Sequence, residues 1–145
     1  MLVNLKEIVA PAYEGRYAVG SFNCYSYETF RGCIAAGEET GTPVIAAFGA
    51  AYLANMSLDT AHAIVASLAR AASIPVCLHL DHCSDLDVIH RAIAAGFGSV
   101  MYDGSMLPFA ENVANTHAVC HVAHACGVSV EAELGSLAVG ADSHE

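Results

Sequence analysis

The sequence predicts an α/β fold, a (β/α)8 barrel of which this chain supplies about the first five strands. Three observations carry that reading. Short, near-continuous apolar runs, of which Pro75–Leu80 is the clearest, have the character of parallel strands covered on both faces rather than of half-solvated ones. These runs alternate with helical patterns, one unit every roughly 25–30 residues, as a parallel sheet flanked by helices requires. Polar or acidic residues stand at the ends of four of the five runs: Asn23, then Asp81 with His82, then Asp103, then Glu131 with Glu133. Several strands each feeding one site at the C-terminal rim is the layout of a barrel. An open doubly wound sheet is the alternative, but it ordinarily carries a glycine-rich fingerprint after its first strand. Here that place is Phe22-Asn23-Cys24-Tyr25.

The elements follow in order. Leu2–Tyr13 has apolar residues at helical spacing, and Pro11 should break or restart that helix. Tyr17–Cys24 is apolar and β-prone and forms the first strand. Tyr27–Glu39 is helical, with Phe30, Ile34 and Ala35 on one face and Gly41 closing it. Pro43–Phe48 is the second strand and residues 49–56 a loop. Ser57 caps a helix that runs to about Ala72. Pro75–Leu80 is the third strand, and Asp85–Ala95 the helix after it, stopped by Gly96 and Gly98. Ser99–Tyr102 is a short fourth strand. Pro108–Cys126 is a longer helix with its proline in a favoured first-turn place. Val128–Leu134 is the fifth strand.

The chain has 145 residues, 55% hydrophobic and 14% charged, with a mean hydropathy of +0.47. That is too apolar for a disordered chain, yet no stretch reaches the ~18 uninterrupted apolar residues of a membrane span. Net charge is −10, so there is no basic stripe for nucleic acid or for an anionic membrane. An anionic substrate would have to be held by backbone amides, a helix N-terminus or a metal. The N-terminal segment carries Lys6 and Glu7 and has no apolar signal-peptide region. The six cysteines, at 24, 33, 77, 83, 120 and 126, show no paired spacing, which suits reduced thiols in a cytoplasmic protein. A single domain is expected, residues 1–145 forming a partial barrel with no second domain. A whole barrel needs ~250 residues, so a larger chain or another chain should complete it. The segment after Gly135 has loop composition and should be mobile.

His79 and Asp81 share a strand face, whereas His82 points the other way or belongs to the loop beyond. On the residues alone, Asp81 with His82 could equally be a carboxylate capping the next helix and a hydrogen-bonded surface histidine. For Asp103, helix capping or a turn at Asp103-Gly104 is a real alternative. Taken together, the words Phe22-Asn23-Cys24, His79-Leu80-Asp81-His82, Ser99–Ser105 and Val130–Gly135 resemble, in order and spacing, the class II zinc-dependent fructose- or tagatose-bisphosphate aldolases. The likeness spans essentially the whole chain.

That resemblance implies a (β/α)8 barrel lyase. It would cleave a ketose 1,6-bisphosphate reversibly into dihydroxyacetone phosphate and an aldehyde, glyceraldehyde 3-phosphate. It assigns Asp81 as the proton shuttle on the C4 hydroxyl and His82 as a zinc ligand. Glu133 and Asp103 would lie in or beside the metal site, and Asn23 would contact substrate. It implies zinc, with a monovalent cation beside it, a phosphorylated sugar as substrate, and a homodimer or homotetramer. Further zinc-binding histidines and the glycine-rich phosphate loops are expected beyond residue 145, so this chain alone should not be competent. The chemistry agrees: C3–C4 cleavage leaves an enediolate that a Lewis-acidic cation stabilises, while a nearby unbound carboxylate takes the hydroxyl proton. The single lysine, Lys6, lies in the N-terminal helix, far from any strand end, so a Schiff-base route is not expected. Two positions depart from the family pattern. Cys83 replaces the glycine that follows Asp-His and could be inert, perturb the loop or touch the metal. Gly49 replaces a serine, removing one phosphate contact.

Other features read more simply. His117, His121 and His124 form an exposed or packed stripe on an outer helix. Cys120 and Cys126 are expected as buried small hydrophobes. Asp85 and Asp87 suit a helix N-terminus. His144 and Glu145 carry no assigned role. A competing function is a non-catalytic barrel fragment or pseudoenzyme with a binding or assembly role. A phosphosugar isomerase or epimerase on the same fold accounts less well for all four strand ends.

Overall fold

In a computed structural model that describes residues 1–135, five strands and five α-helices alternate along the chain. The strands are β1 (Ser21–Asn23), β2 (Val44–Gly49), β3 (Val76–Cys83), β4 (Ser99–Tyr102) and β5 (Ser129–Ala132). They pair in parallel and lie side by side in chain order. A doubly wound sheet would reverse its order at a switch point. Uninterrupted sequential order is instead the arc of a (β/α)8 barrel, as expected. No helix among the described residues is long and apolar enough to cross a membrane.

Strand periodicity divides the side chains between two layers. Ala46, Phe48, Leu78, Leu80, Val100 and Tyr102 face outward. There they meet the buried stripes of α2 (Tyr27–Thr40), α3 (Leu58–Ala71), α4 (Leu86–Ala95) and α5 (Phe109–Ala125), through Phe30, Val65, Ile89 and Val119 among others. Each fully buried side chain of this kind contributes about 1.5–3 kcal/mol, so this outer layer is the main core. Ile45 and Cys77 face inward and pack on Ile8 of α1 (Leu5–Gly15), which closes the N-terminal floor. One level higher, register aligns Asn23, Ala47, His79, Ser99 and Ser129 across all five strands. Barrel interiors are ordinarily filled by branched aliphatic residues; this row is small or polar throughout.

Several boundaries differ from expectation for identifiable reasons. The first helix starts at Leu5 rather than Leu2, because residues 1–3 pair with the start of β3 (Val3 N–H to the Val76 carbonyl, 3.0 Å). Asn4 then caps the helix in a reciprocal capping box with Glu7. Pro11 does not break it. A mid-helix proline costs about 3 kcal/mol, and the two caps with the burial of Ile8 and Ala12 offset that. The first strand shrinks from Tyr17–Cys24 to three residues, since among the described residues only β2 lies beside it. The loop at 49–56 contains a 3-10 turn, Ala50–Ala54, whose Tyr52 ring packs edge-on to Phe48. The fifth strand is Ser129–Ala132, which leaves Glu133 just past its end. The expectation of a mobile segment after Gly135 lies outside the described residues, as do His144 and Glu145.

Gly98, immediately before β4, lets the N-terminal segment cross the floor: a Cβ there would collide with the Val3 carbonyl oxygen. Because the obstacle is backbone, it cannot swing aside. Gly98→Ala should therefore destabilise the fold by about 1–3 kcal/mol, the usual cost of overpacking, read as a lower denaturant midpoint at unchanged m-value. An unaltered midpoint would mean that residues 1–4 are not seated on β3.

Candidate metal centre

The site begins with an irregularity in β3. Pairing between β3 and β4 is regular at His79↔Ser99 and Leu80↔Val100, then shifts so that Cys83 pairs with Tyr102. His82, inside this bulge, has φ +46°, a left-handed conformation that is unfavourable by about 1–2 kcal/mol for a residue with a Cβ. The bulge takes His82 out of simple alternation, turns it to the rim and aims its ring at the ends of β4 and β5. Asp81 keeps the inner face that it shares with His79 and pairs with Gly49 of β2. The strand thus runs on through Cys83, three residues beyond the Leu80 end expected from its apolar run.

His82 Nδ1 lies 3.3 Å from Asp103 Oδ2 and 3.7 Å from Glu133 Oε2. Ligand atoms of these three residues all fall within 4.8 Å of one another. Asp103 does two things at once. Its Oδ1 accepts from the Ser105 amide (3.1 Å) and hydroxyl (2.6 Å), making the turn, while its Oδ2 faces His82. An imidazole with two carboxylates is a donor set that suits a borderline divalent cation such as zinc.

The electrostatics fit such a cluster. Burial acts to lower the His82 pKa, but the Asp103 hydrogen bond and the charges of Asp81, Glu133 and Asp103 outweigh it and raise the imidazole above its ordinary value. The His79 ring beside Asp81 holds that carboxyl below the usual range, against the opposing effect of burial. For Asp103, burial acts upward, yet the Ser105 hydroxyl and amide and then His82 bring the carboxyl down.

Asn23 lies on the same inner row as His79, two strands away, and among the described residues no hydrogen bond or ion pair joins it to the acidic group. Cys83 is buried, its thiol donates to the Asp85 carbonyl (3.4 Å), and burial raises its pKa, which makes it an inert thiol on the outer face. At Gly49 the Tyr52 ring would lie 3.2 Å from a Cβ, so a serine would need that ring to give way. Asp85 caps α4 through Asp87 N and Val88 N. His117, His121 and His124 are exposed on α5. Cys126 is exposed too, contrary to expectation, because it follows the last turn of α5 rather than facing the sheet; Cys120 is half-buried.

Sequence reasoning missed two supports. Ser99 is fully buried against His79. Asn112 is buried on α5, and its Nδ2 donates to the Glu133 carbonyl at 2.8 Å. Its Oδ1 sits where a Cβ on Gly104 would be, so the residue after Asp103 must be glycine for α5 to approach. Asn112 thereby ties α5 to the end of β5. Its signal in the sequence is a polar residue in the 112, 119, 123 stripe that α5 buries.

A parallel barrel arc defines a TIM-barrel protein, and the histidine–carboxylate cluster at its C-terminal rim is a group that could hold a cation. The sequence profile of the class II fructose-bisphosphate aldolases matches residues 3–145, and the chain belongs to that family. It is 46% identical over 137 residues to fructose-bisphosphate aldolase of Geobacillus stearothermophilus, covering 92% of this chain and 48% of that protein. It is 36% identical over 132 residues to sulfofructosephosphate aldolase of Alkalicoccus urumqiensis, covering 91% of this chain and 46% of the other. The crystal structure of the YdjI aldolase of Escherichia coli K12 superposes with a TM-score of 0.88 at 36% identity, over 93% of this chain and 51% of that one. The chain spans about half the length of the curated relatives it matches.

Depressed Asp81 and Asp103 contribute stability that is present above the ordinary carboxylate pKa, ~3.8–4, and is lost as pH falls through their folded values. Metal-free wild type should therefore lose melting temperature, as pH falls below about 4, more steeply than an Asp81→Asn/Asp103→Asn double variant. Parallel curves would mean that the two carboxylates are not engaged.

Proposed function

We propose that the protein carrying this chain performs reversible aldol cleavage of a ketose 1,6-bisphosphate to dihydroxyacetone phosphate and glyceraldehyde 3-phosphate. In this reading the chain is the N-terminal part of one zinc-dependent (β/α)8 barrel and is not competent alone. The observation that carries the reading is the convergence of His82, Asp103 and Glu133, with Asp81 alongside, at the C-terminal strand ends of a chain matched over nearly its full length by one aldolase family. The two relatives compared share an aldolase name and differ in the sugar named, which supports a phosphorylated ketose as the substrate class.

His82, Asp103 and Glu133 would hold the zinc ion, with a monovalent cation beside it. When bound, the zinc supplies Lewis-acid stabilisation of the charge left by C3–C4 cleavage. Asp81 takes the C4 hydroxyl proton. A carboxylate is ionised at neutral pH, and from its place on the inner face, one residue before His82, it would stand beside the substrate without being a fourth donor. Asn23, on the same inner face, contacts the substrate. A cytoplasmic homodimer or homotetramer accompanies this reading.

Two neighbouring substitutions separate the roles. In the native protein Asp81→Ala should retain zinc and lose kcat by about 10²–10⁴-fold. His82→Ala should lose zinc, with activity falling in step with metal occupancy. Metal analysis beside steady-state kinetics decides the matter. Zinc lost from the Asp81 variant and kept by the His82 variant would reverse the assignments and end the proton-shuttle reading.

A further inference from the structure

The inner face holds a buried polar pair to which the reaction above gives no task. His79 is 2% exposed and Ser99 0%. They are register partners on β3 and β4, and His79 Nδ1 lies 3.0 Å from Ser99 Oγ. A buried imidazole or hydroxyl left unpartnered would be unfavourable by about 1–3 kcal/mol, and here both have partners. With the serine hydroxyl donating to Nδ1, the ring carries its hydrogen on Nε2. That nitrogen lies 3.4 Å from Glu131 Oε2 and 3.7 Å from Asp81 Oδ1. Glu131 comes from β5 and Asp81 from β3, so the imidazole stands between carboxylates from two non-adjacent strands.

We propose that His79 is a positioning residue for Asp81: its Nε2–H, aimed by Ser99, holds the Asp81 carboxylate where it receives the substrate's hydroxyl proton, with Glu131 sharing the donor from the far side. The inference rests on the reading of Asp81 as the base. Three features support it beyond proximity. The ring cannot turn away, because its other nitrogen is anchored to a fully buried hydroxyl. Both carboxylates lie beside the same Nε2, so without that donor they would be neighbouring like charges, and repulsion would push the Asp81 carboxylate from its place. At 3.4 Å and 3.7 Å the two contacts are charge–dipole contacts and not formed hydrogen bonds, and catalytic contacts commonly tighten only when substrate arrives. Asp81 is therefore oriented without being locked and stays free to carry a proton. His79 itself touches neither substrate nor metal and acts through Asp81.

The test uses the zinc-loaded native protein and two reactions. One is cleavage of the ketose bisphosphate. The other is exchange of the dihydroxyacetone phosphate hydroxymethyl hydrogen with solvent, a half-reaction in which no C4 hydroxyl takes part and Asp81 has no work. His79→Leu, which fills the space without a donor, should lower kcat for cleavage by about 10–100-fold, the usual effect of removing a supporting hydrogen-bond partner. KM, zinc content and the exchange rate should stay near wild type. His79→Gln, which keeps an N–H, should recover most of the loss. Equal loss of cleavage and exchange, unchanged cleavage in His79→Leu, or no recovery by His79→Gln overturns the proposal. If His79→Leu does not fold, Ser99→Ala carries the test and must show the same cleavage-selective loss; unchanged cleavage there overturns it. Asp81→Ala run alongside separates the two readings. If it loses cleavage and His79→Leu does not, only the positioning role falls. If Asp81→Ala still cleaves, the base assignment falls and the positioning role with it.

Discussion

Parallel pairing sets neighbouring residues on the same face and at the same height, and the rim of this sheet follows from where that register holds and where it slips. It holds from β1 to β5 along the row through Asn23, His79 and Ser99, which fixes a polar inner level above an apolar floor. It slips between Leu80 and Cys83. That slip lets two consecutive residues serve the same cleft from different directions, Asp81 from inside the arc and His82 from its edge. A regular strand would send them to opposite faces, one of them under a helix.

The strain at His82 is of the kind that persists only when the surroundings over-determine it. Here the surroundings are two carboxylates, one from each of the next two strand ends. Asp103 is fixed by its own turn through Ser105, and Glu133 is fixed through its carbonyl by Asn112. The helix that packs outside β4 and β5 therefore shapes the site without entering it. At Gly104 the Asn112 side chain of that helix occupies the room a Cβ would need, and the absence of a side chain there allows it.

Charge gives the rim its chemical character. Asp81, Asp103, Glu131 and Glu133 gather around two imidazoles, on a chain whose formal net charge is −10. Such an excess of carboxylate is self-repelling, and the protonated His82 ring relieves part of it, which is why its pKa is raised. His79 and His82 divide the work by depth. The buried ring is saturated by protein partners, whereas the exposed one keeps capacity for something from outside.

The sequence by itself determined the alternation of elements, the parallel arc, and the residues that stand at the strand ends. Each of these depends on patterns local to a strand or a helix: apolar runs, 3.6-residue stripes, glycine stops and polar residues just past a run. The same local signals overstated β1 and β5 and treated Pro11 as a helix break, because edge pairing and anchoring on the barrel floor are properties of the assembled sheet. His82 could be placed only as facing away or in a loop, since a bulge has no signature in a single strand and exists only against its partner's register. Cys126 reads as a buried residue because helix composition does not say where the last turn leaves the sheet. Ser99 and Asn112 looked like filler in their own elements. Only the tertiary structure gave them partners, Ser99 against a histidine 20 residues away and Asn112 against a carbonyl 21 residues away. A hydrogen bond between distant segments leaves no periodic trace, so neither partner could be read from its own element.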